Sequence, residues 1–221
     1  MERKTKVRRD PEKVRKMYRL LEAHFGDLGW WPSETPFEVI VGAILTQNTA
    51  WVNVEKAIRV MKREGLMTLA AITGCADERL AAAIRPAGYH NVKARRLKAV
   101  CRFLQEECGG RLSKLKKADT AVLRKKFLEV KGVGPETADS ILLYALEKPV
   151  FVVDAYTKRI FFRHALADED AVYEDLRGKV ENVFKGDTDR FNQFHALIVE
   201  TAKNYCRKKK GLCGKCPLRR V

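Results

Sequence analysis

Three groupings in this chain bring together residue types that could do chemistry. Near its end, Cys206, Cys213 and Cys216 are spaced Cys-x6-Cys-x2-Cys among Lys and Arg. Thiolates converging from one short segment suit a soft metal, and the flanking cations lower their pKa. In the middle, Leu128-Glu129-Val130-Lys131-Gly132-Val133-Gly134-Pro135-Glu136-Thr137-Ala138 links two stretches of helical pattern. Gly132 and Gly134 permit positive φ or close backbone approach, and a helix opening near Pro135 offers free N–H groups at its positive end, where a phosphate fits. Arg124, Lys125, Lys126 and Lys131 add charge there. The plain alternative is a Gly-ended helix followed by a Pro-started one, and spacing alone does not separate the two. Third come the indoles of Gly29-Trp30-Trp31-Pro32 and of Trp51, after Leu45-Thr46-Gln47-Asn48-Thr49-Ala50. They suit stacking against a flat ring, or else serve as ordinary core residues.

These residues have to be positioned by helices. Val39, Ile40, Ala43 and Ile44 recur at helical period, as do Val54, Ala57, Ile58 and Met61, and again Ile141, Leu142, Ala145 and Leu146. Strand alternation is scarce, and Pro36, Gly65, Gly74, Pro86 to Gly88, Gly109-Gly110, Gly132 to Pro135 and Pro149 punctuate the pattern. The expectation is an all-α chain of short helices with no internal repeat. With 221 residues it can bury one large core or two modest ones. No apolar run is long enough for a membrane span, and Met1 to Asp10 is a charged stretch with no apolar region behind it. The expected compartment is therefore a reducing cytoplasm, without disulfides.

Charge narrows the partner. Lys and Arg number 44 against 28 Asp and Glu, a net +16 that attracts polyanions, nucleic acid first. The excess is concentrated: Lys203 to Val221 holds eight basic residues and no acidic one, and Asn91 to Lys131 holds thirteen basic against four acidic. His24, His90, His164 and His195 show no ligand spacing with one another and read as ordinary surface or core groups. Cys75, Cys101 and Cys108 read as small buried apolar residues.

Helix, Gly-Val-Gly, helix, then an apolar run ending at Val152-Val153-Asp154 resembles the helix-hairpin-helix and Gly/Pro-loop-Asp motif of the endonuclease III superfamily of DNA glycosylases. Gly88-Tyr89-His90-Asn91-Val92-Lys93-Ala94 is similar to that family's second backbone-contacting turn, and the terminal cysteines to its iron-sulfur loop. The likeness runs from about Phe37 to Pro217. Trp-Trp-Pro and the aromatic after Thr-Gln-Asn-Thr resemble the 3-methyladenine DNA glycosylase branch.

The resemblance implies two helical domains with a cleft between them: a six-helix barrel over 38–148 containing the hairpin at about 124–146, and a second domain of 1–37 and 149–221 with the cysteine loop at 206–221. It implies double-stranded DNA with a damaged base as partner, a monomer, and a nucleoid-associated cytoplasmic protein. Lys131, Gly132, Val133, Gly134, Thr137, Asn91 and Lys93 would bind the DNA backbone. Trp30, Trp31, Pro32 and Trp51 would line the pocket for a flipped base, with Gln47 or Asn48 filling the gap it leaves. Asp154 would stabilise the cationic sugar and activate water; its other reading is a helix N-cap before Ala155. Strand-nicking members carry a lysine where this chain has Glu136, and a carboxylate forms no imine, so a monofunctional enzyme on alkylated purines is expected. Lys131 and Lys158 do not match the nucleophile position. The alternatives are an endonuclease III-like glycosylase and lyase for oxidised pyrimidines, and a DNA-binding module without catalysis. The family's cysteine loop holds a [4Fe-4S] cluster with a fourth cysteine, which would fall one residue beyond Val221; three thiolates on zinc is the competing metal reading. The resemblance also allows a monovalent cation at the hairpin.

Overall fold

A computed structural model describes residues 11–221; the charged start, Met1 to Asp10, on which the leader reading rests, lies outside the described residues. All regular structure among the described residues is helical, and none of their helices is long and apolar enough to cross a membrane. The chain divides into two compact units. Trp31–Lys148 forms one, and the segments up to Trp30 and from Pro149 onward form the other. The first unit therefore opens at Trp31, where the resemblance opens it at residue 38.

Helix α1 (Pro11–Phe25) belongs to the second unit. The first unit is built around α2 (Pro36–Leu45), in which every residue from Glu38 to Leu45 is buried. A helix apolar on all sides has to sit centrally. Thr35 caps it by accepting the Glu38 N–H, with Pro36 at the first helical position. Against it pack α3 (Trp51–Arg63), α6 (His90–Cys108) and α8 (Pro135–Ser140), the last running into a π-helical turn, Ile141–Ala145, while the short α4 (Leu69–Gly74) and α5 (Asp77–Ala83) lie on α6 and α7 (Thr120–Glu129) on α8. Helix α3 buries Val54, Ala57, Ile58 and Met61, a single face at helical spacing.

In the second unit Val150 to Val153 run as a buried segment into α9 (Ala155–Arg163), followed by α10 (Tyr173–Phe184) and α11 (Thr188–Asn204). Helix α1 lays Val14, Met17 and Leu21 against α10 and α11. The core is aromatic: Phe151, Phe184, Phe191 and Phe194 meet with Tyr18 at ring separations of 5.2 to 6.0 Å. Burying several such rings contributes about 2 kcal/mol each, which fixes the segment that delivers Asp154.

Candidate functional site

The hairpin is α7, a tight turn and α8. Arg124 on α7 holds Asp139 on α8 with Nε to Oδ1 at 2.6 Å and Nη2 to Oδ2 at 3.0 Å, and Asp139 is fully buried. Such a two-pronged pair sets the angle between the helices. Gly132 has φ +91°, and a Cβ there would collide with the Arg96 side chain, Nε lying 2.8 Å away, so the turn requires glycine. Gly134 is extended, exposed and open: a Cβ there would meet nothing within 4 Å. Its lack of a side chain leaves the backbone approachable from solvent. Lys131 is exposed beside it, as is Glu136.

Two hairpin residues expected at the DNA backbone are otherwise committed. Val133 donates its N–H to the Val130 carbonyl and buries its side chain, closing the turn from within. Thr137 is buried, and its hydroxyl accepts from Gln47 Nε2 at 3.0 Å. The Val130 and Gly132 carbonyls already accept Val133 N–H and Gln47 Nε2, so a cation would have to share them.

Gln47 ties the turn after α2 to the hairpin. Its Nε2 donates to the Gly132 carbonyl at 3.1 Å as well as to Thr137, while its Oε1 accepts Arg96 Nη1 at 2.5 Å. A side chain held at both ends is not the one poised to enter DNA. Asn48 is exposed at φ +53°, at the tip of the same turn. Tyr89, which the sequence reading did not single out, sits at a second left-handed tip, φ +49° and 70% exposed, at the start of α6. Non-glycine residues at positive φ are uncommon, and an exposed aromatic there has no packing reason.

Lys93 corrects the sequence expectation. It is 1% exposed, and its Nζ donates to the Leu45 carbonyl at 2.7 Å, the Thr49 hydroxyl at 2.7 Å and the Ala87 carbonyl at 2.8 Å. Burial, with a smaller contribution from the Arg96 charge, pushes its pKa down to about 8. Three acceptors enclose the ammonium, so no phosphate reaches it; it joins the turn bearing Asn48 to the turn bearing Tyr89. Asn91 is exposed on the first turn of α6.

Of the aromatics, Trp31 and Trp51 stand perpendicular with centroids 5.0 Å apart, and Tyr144 lies 5.0 Å from Trp31. Gly42 on α2 admits them: a Cβ there would lie 3.4 Å from Trp51 and 3.6 Å from Trp31. Tyr144, unmarked in the sequence, comes from the π turn, a distortion that shifts side chains by one position and recurs at functional sites. The Trp51 indole N–H is buried with no hydrogen-bond partner among the described residues. Pro32 is exposed. Trp30 falls in the second unit, its ring 5.4 Å from Lys203 Nζ.

Asp154 caps α9, Oδ1 accepting the Thr157 N–H at 2.7 Å and the Thr157 hydroxyl at 2.9 Å. Its Oδ2 faces His195 Nε2 on α11 at 3.5 Å. Burial works to raise the carboxyl pKa, but His195 and the Thr157 hydrogen bonds outweigh it, holding Asp154 below the usual carboxylate range. The side chain is 12% exposed, so it is largely but not wholly shut off from solvent.

Cys206 and Cys216 are buried and Cys213 is exposed. Arg163 organises the loop, with Nη1 on Cys206 Sγ at 3.2 Å and on the Arg207 carbonyl, and Nη2 on the Lys208 carbonyl. Burial, opposed by a Leu218 backbone hydrogen bond and aided by Cys206 and Cys213, pushes the Cys216 thiol up. The soft donors of this loop are two buried thiols and one exposed one, with the Arg163 guanidinium against the first. Among the described residues no three such ligands stand together as a metal would need.

A helix-hairpin-helix, an aromatic cluster and an ionised aspartate capping α9 are carried by one all-helical chain, and its relatives give the class of protein. Residues 41–185 match the HhH-GPD superfamily of base excision DNA repair proteins. The chain is 47% identical over 210 residues, 94% of each sequence, to a Methanocaldococcus jannaschii protein named "Putative DNA repair glycosylase". It is similar to the solved structure of Helicobacter pylori 3-methyladenine DNA glycosylase bound to 1,N6-ethenoadenine, with TM-score 0.75 and 28% identity over 87% of this chain and 96% of that one. A trapped endonuclease III–DNA covalent intermediate shares the fold, with TM-score 0.81 and 20% identity over 95% and 93% of the two chains. The chain belongs to the HhH-GPD superfamily, as a helix-hairpin-helix DNA glycosylase of base excision repair.

Proposed function

We propose that this glycosylase is monofunctional, acts on duplex DNA and releases alkylated purines such as 3-methyladenine. The observation that carries the reaction is Asp154, a largely buried carboxylate kept ionised by its neighbours. An alkylated purine nucleotide is already cationic. As its C1′–N bond breaks, the bonding pair leaves with the base, which departs neutral and needs no general acid. The positive charge passes to the sugar, where the carboxylate stabilises it; water then bonds to C1′ and gives a proton to Asp154, which returns it to solvent. The product is an abasic site.

The base class is supported by Trp31, Trp51 and Tyr144, whose electron-rich faces attract a cationic ring. Gly132, Gly134 and Lys131 serve the phosphates, with Asn91 and the exposed Asn48 and Tyr89 on neighbouring turns. Glu136, exposed after Gly-Val-Gly, supplies no amine for an imine. The spacing of Cys206, Cys213 and Cys216 favours a [4Fe-4S] cluster, but the thiols would have to draw together from their present places to hold one, and the reaction does not depend on it. Iron and sulfide content of the purified protein tests that part.

A panel of lesion-bearing duplexes, scored for base release with and without alkaline cleavage, tests the activity. Release of methylated purines that nicks only after alkali supports the reading. Release of oxidised pyrimidines with borohydride-trapped protein–DNA adducts would replace it by the lyase reading, and no release from any lesion by a non-catalytic binder.

A further inference from the structure

The two oxygens of Asp154 are held differently. Oδ1 is taken up by the α9 cap, accepting both the N–H and the hydroxyl of Thr157. Two bonds to one oxygen still allow the carboxylate to turn about its own axis, and only a contact on the second oxygen stops that. Oδ2 has His195 Nε2 at 3.5 Å. From this arrangement we infer that His195 is a positioning residue: its Nε2–H donates to Asp154 Oδ2 and aims the oxygen that the helix cap leaves available. The inference deepens the glycosylase reading above and rests on it.

Three features of His195 support the role. It is an ionisable ring buried on α11 among Phe191, Phe194, Ala196, Leu197 and Ile198, and a polar ring in such a place needs a partner to offset its desolvation. Its ring stands at 82° to Phe151 with centroids 6.2 Å apart, so packing fixes the plane in which Nε2 points. Finally, the imidazole is the strongest influence holding the buried carboxyl ionised against desolvation. Oδ2 is then the atom that faces the sugar cation and takes the proton of the incoming water, while Oδ1 keeps the α9 N-terminus closed.

The test uses the full chain under single-turnover conditions with saturating enzyme on a methylated duplex. His195→Phe keeps the ring and its packing on Phe151 but has no donor; His195→Gln returns an N–H at the reach of Nε2. Loss of a hydrogen bond to a charged group predicts base release slowed roughly 10- to 100-fold in His195→Phe, with duplex Kd unchanged, and most of that loss recovered in His195→Gln. Urea midpoints of both variants separate folding from chemistry, and His195→Leu against His195→Gln gives the same comparison if His195→Phe does not fold. A donor-less variant at the wild-type rate, or a Gln variant as slow as the donor-less one, overturns the inference while the glycosylase reading stands. A wild-type protein that releases no base brings down both.

Discussion

Replacing Lys93 by Met tests the reassignment of that residue from phosphate contact to internal pin. The ammonium donates to Leu45 O, Thr49 Oγ1 and Ala87 O. Leu45 ends α2, so its carbonyl has no helical partner of its own, and a cation at that end also favours the helix dipole. Met fills nearly the same volume and donates nothing. Two buried carbonyls lose their donor, at about 1 to 3 kcal/mol each; the Thr49 hydroxyl keeps its own bond to Ala87 O at 2.6 Å, which softens the second loss. Removing a buried ammonium recovers part of its desolvation cost, so the net destabilisation is about 2 to 4 kcal/mol. With a urea m-value of about 2 to 3 kcal/mol per M, the unfolding midpoint falls by about 1 M. The slope of log Kd against log salt stays as in the wild type, because no phosphate contact is lost. An unchanged midpoint together with a slope shallower by about 0.9 refutes the reasoning and returns Lys93 to the DNA backbone.

Asp154→Asn keeps a good N-cap for α9, so it folds and binds duplex, while base release at saturating enzyme falls by about a hundredfold or more; equal release would remove Asp154 from the chemistry. Because the folded chain holds that carboxyl below its ordinary value, it contributes stability above the ordinary carboxylate range, lost as pH falls through the lowered value; urea midpoints in acid should decline less steeply in Asp154→Asn. Gly132→Ala, at φ +91° and against Arg96, costs about 1 to 3 kcal/mol in urea unfolding. Gly134→Ala meets open space, so its midpoint holds and only duplex affinity falls. Gln47→Ala loosens the hairpin, losing about 1 to 3 kcal/mol, whereas Asn48→Gly relieves a positive φ and keeps stability while slowing base release.

What the sequence disclosed depended on how local each signal is. The hairpin was legible because Gly132, Gly134 and Pro135 act on their own backbone, and the helices because burial repeats along them. Asp154 was legible in both its readings, cap and acid, and its hydrogen bonds to Thr157 carry the first. The misread residues are those whose partners are far away in the chain. Lys93 looked like one more basic residue in a basic stretch, since nothing near it announces that Leu45 and Ala87 carbonyls wait inside. His195 looked solitary because its partner, Asp154, is on another helix. Arg96 and Tyr144 left no signal at all: the first matters only by crossing Gly132, the second only because a π turn carries it to Trp31.

The same long-range bonds account for where strain is tolerated. Asn48 and Tyr89 both hold left-handed backbone, which costs a non-glycine residue of order 1 kcal/mol and persists only where the surroundings over-determine it. Lys93 and Thr49 supply that constraint, since each bonds the turn after α2 to the turn before α6. Gln47 and Arg96 extend it to the Gly132 turn. Three turns that carry exposed tips or an open glycine are thereby fixed by bonds lying beneath them, leaving their outer faces unoccupied. If these tips meet the duplex as proposed, a rigid set loses little entropy on binding, so more of the contact energy remains for unstacking a nucleotide. Loosening any one of the underlying bonds should therefore cost base release more than a deletion at a single tip.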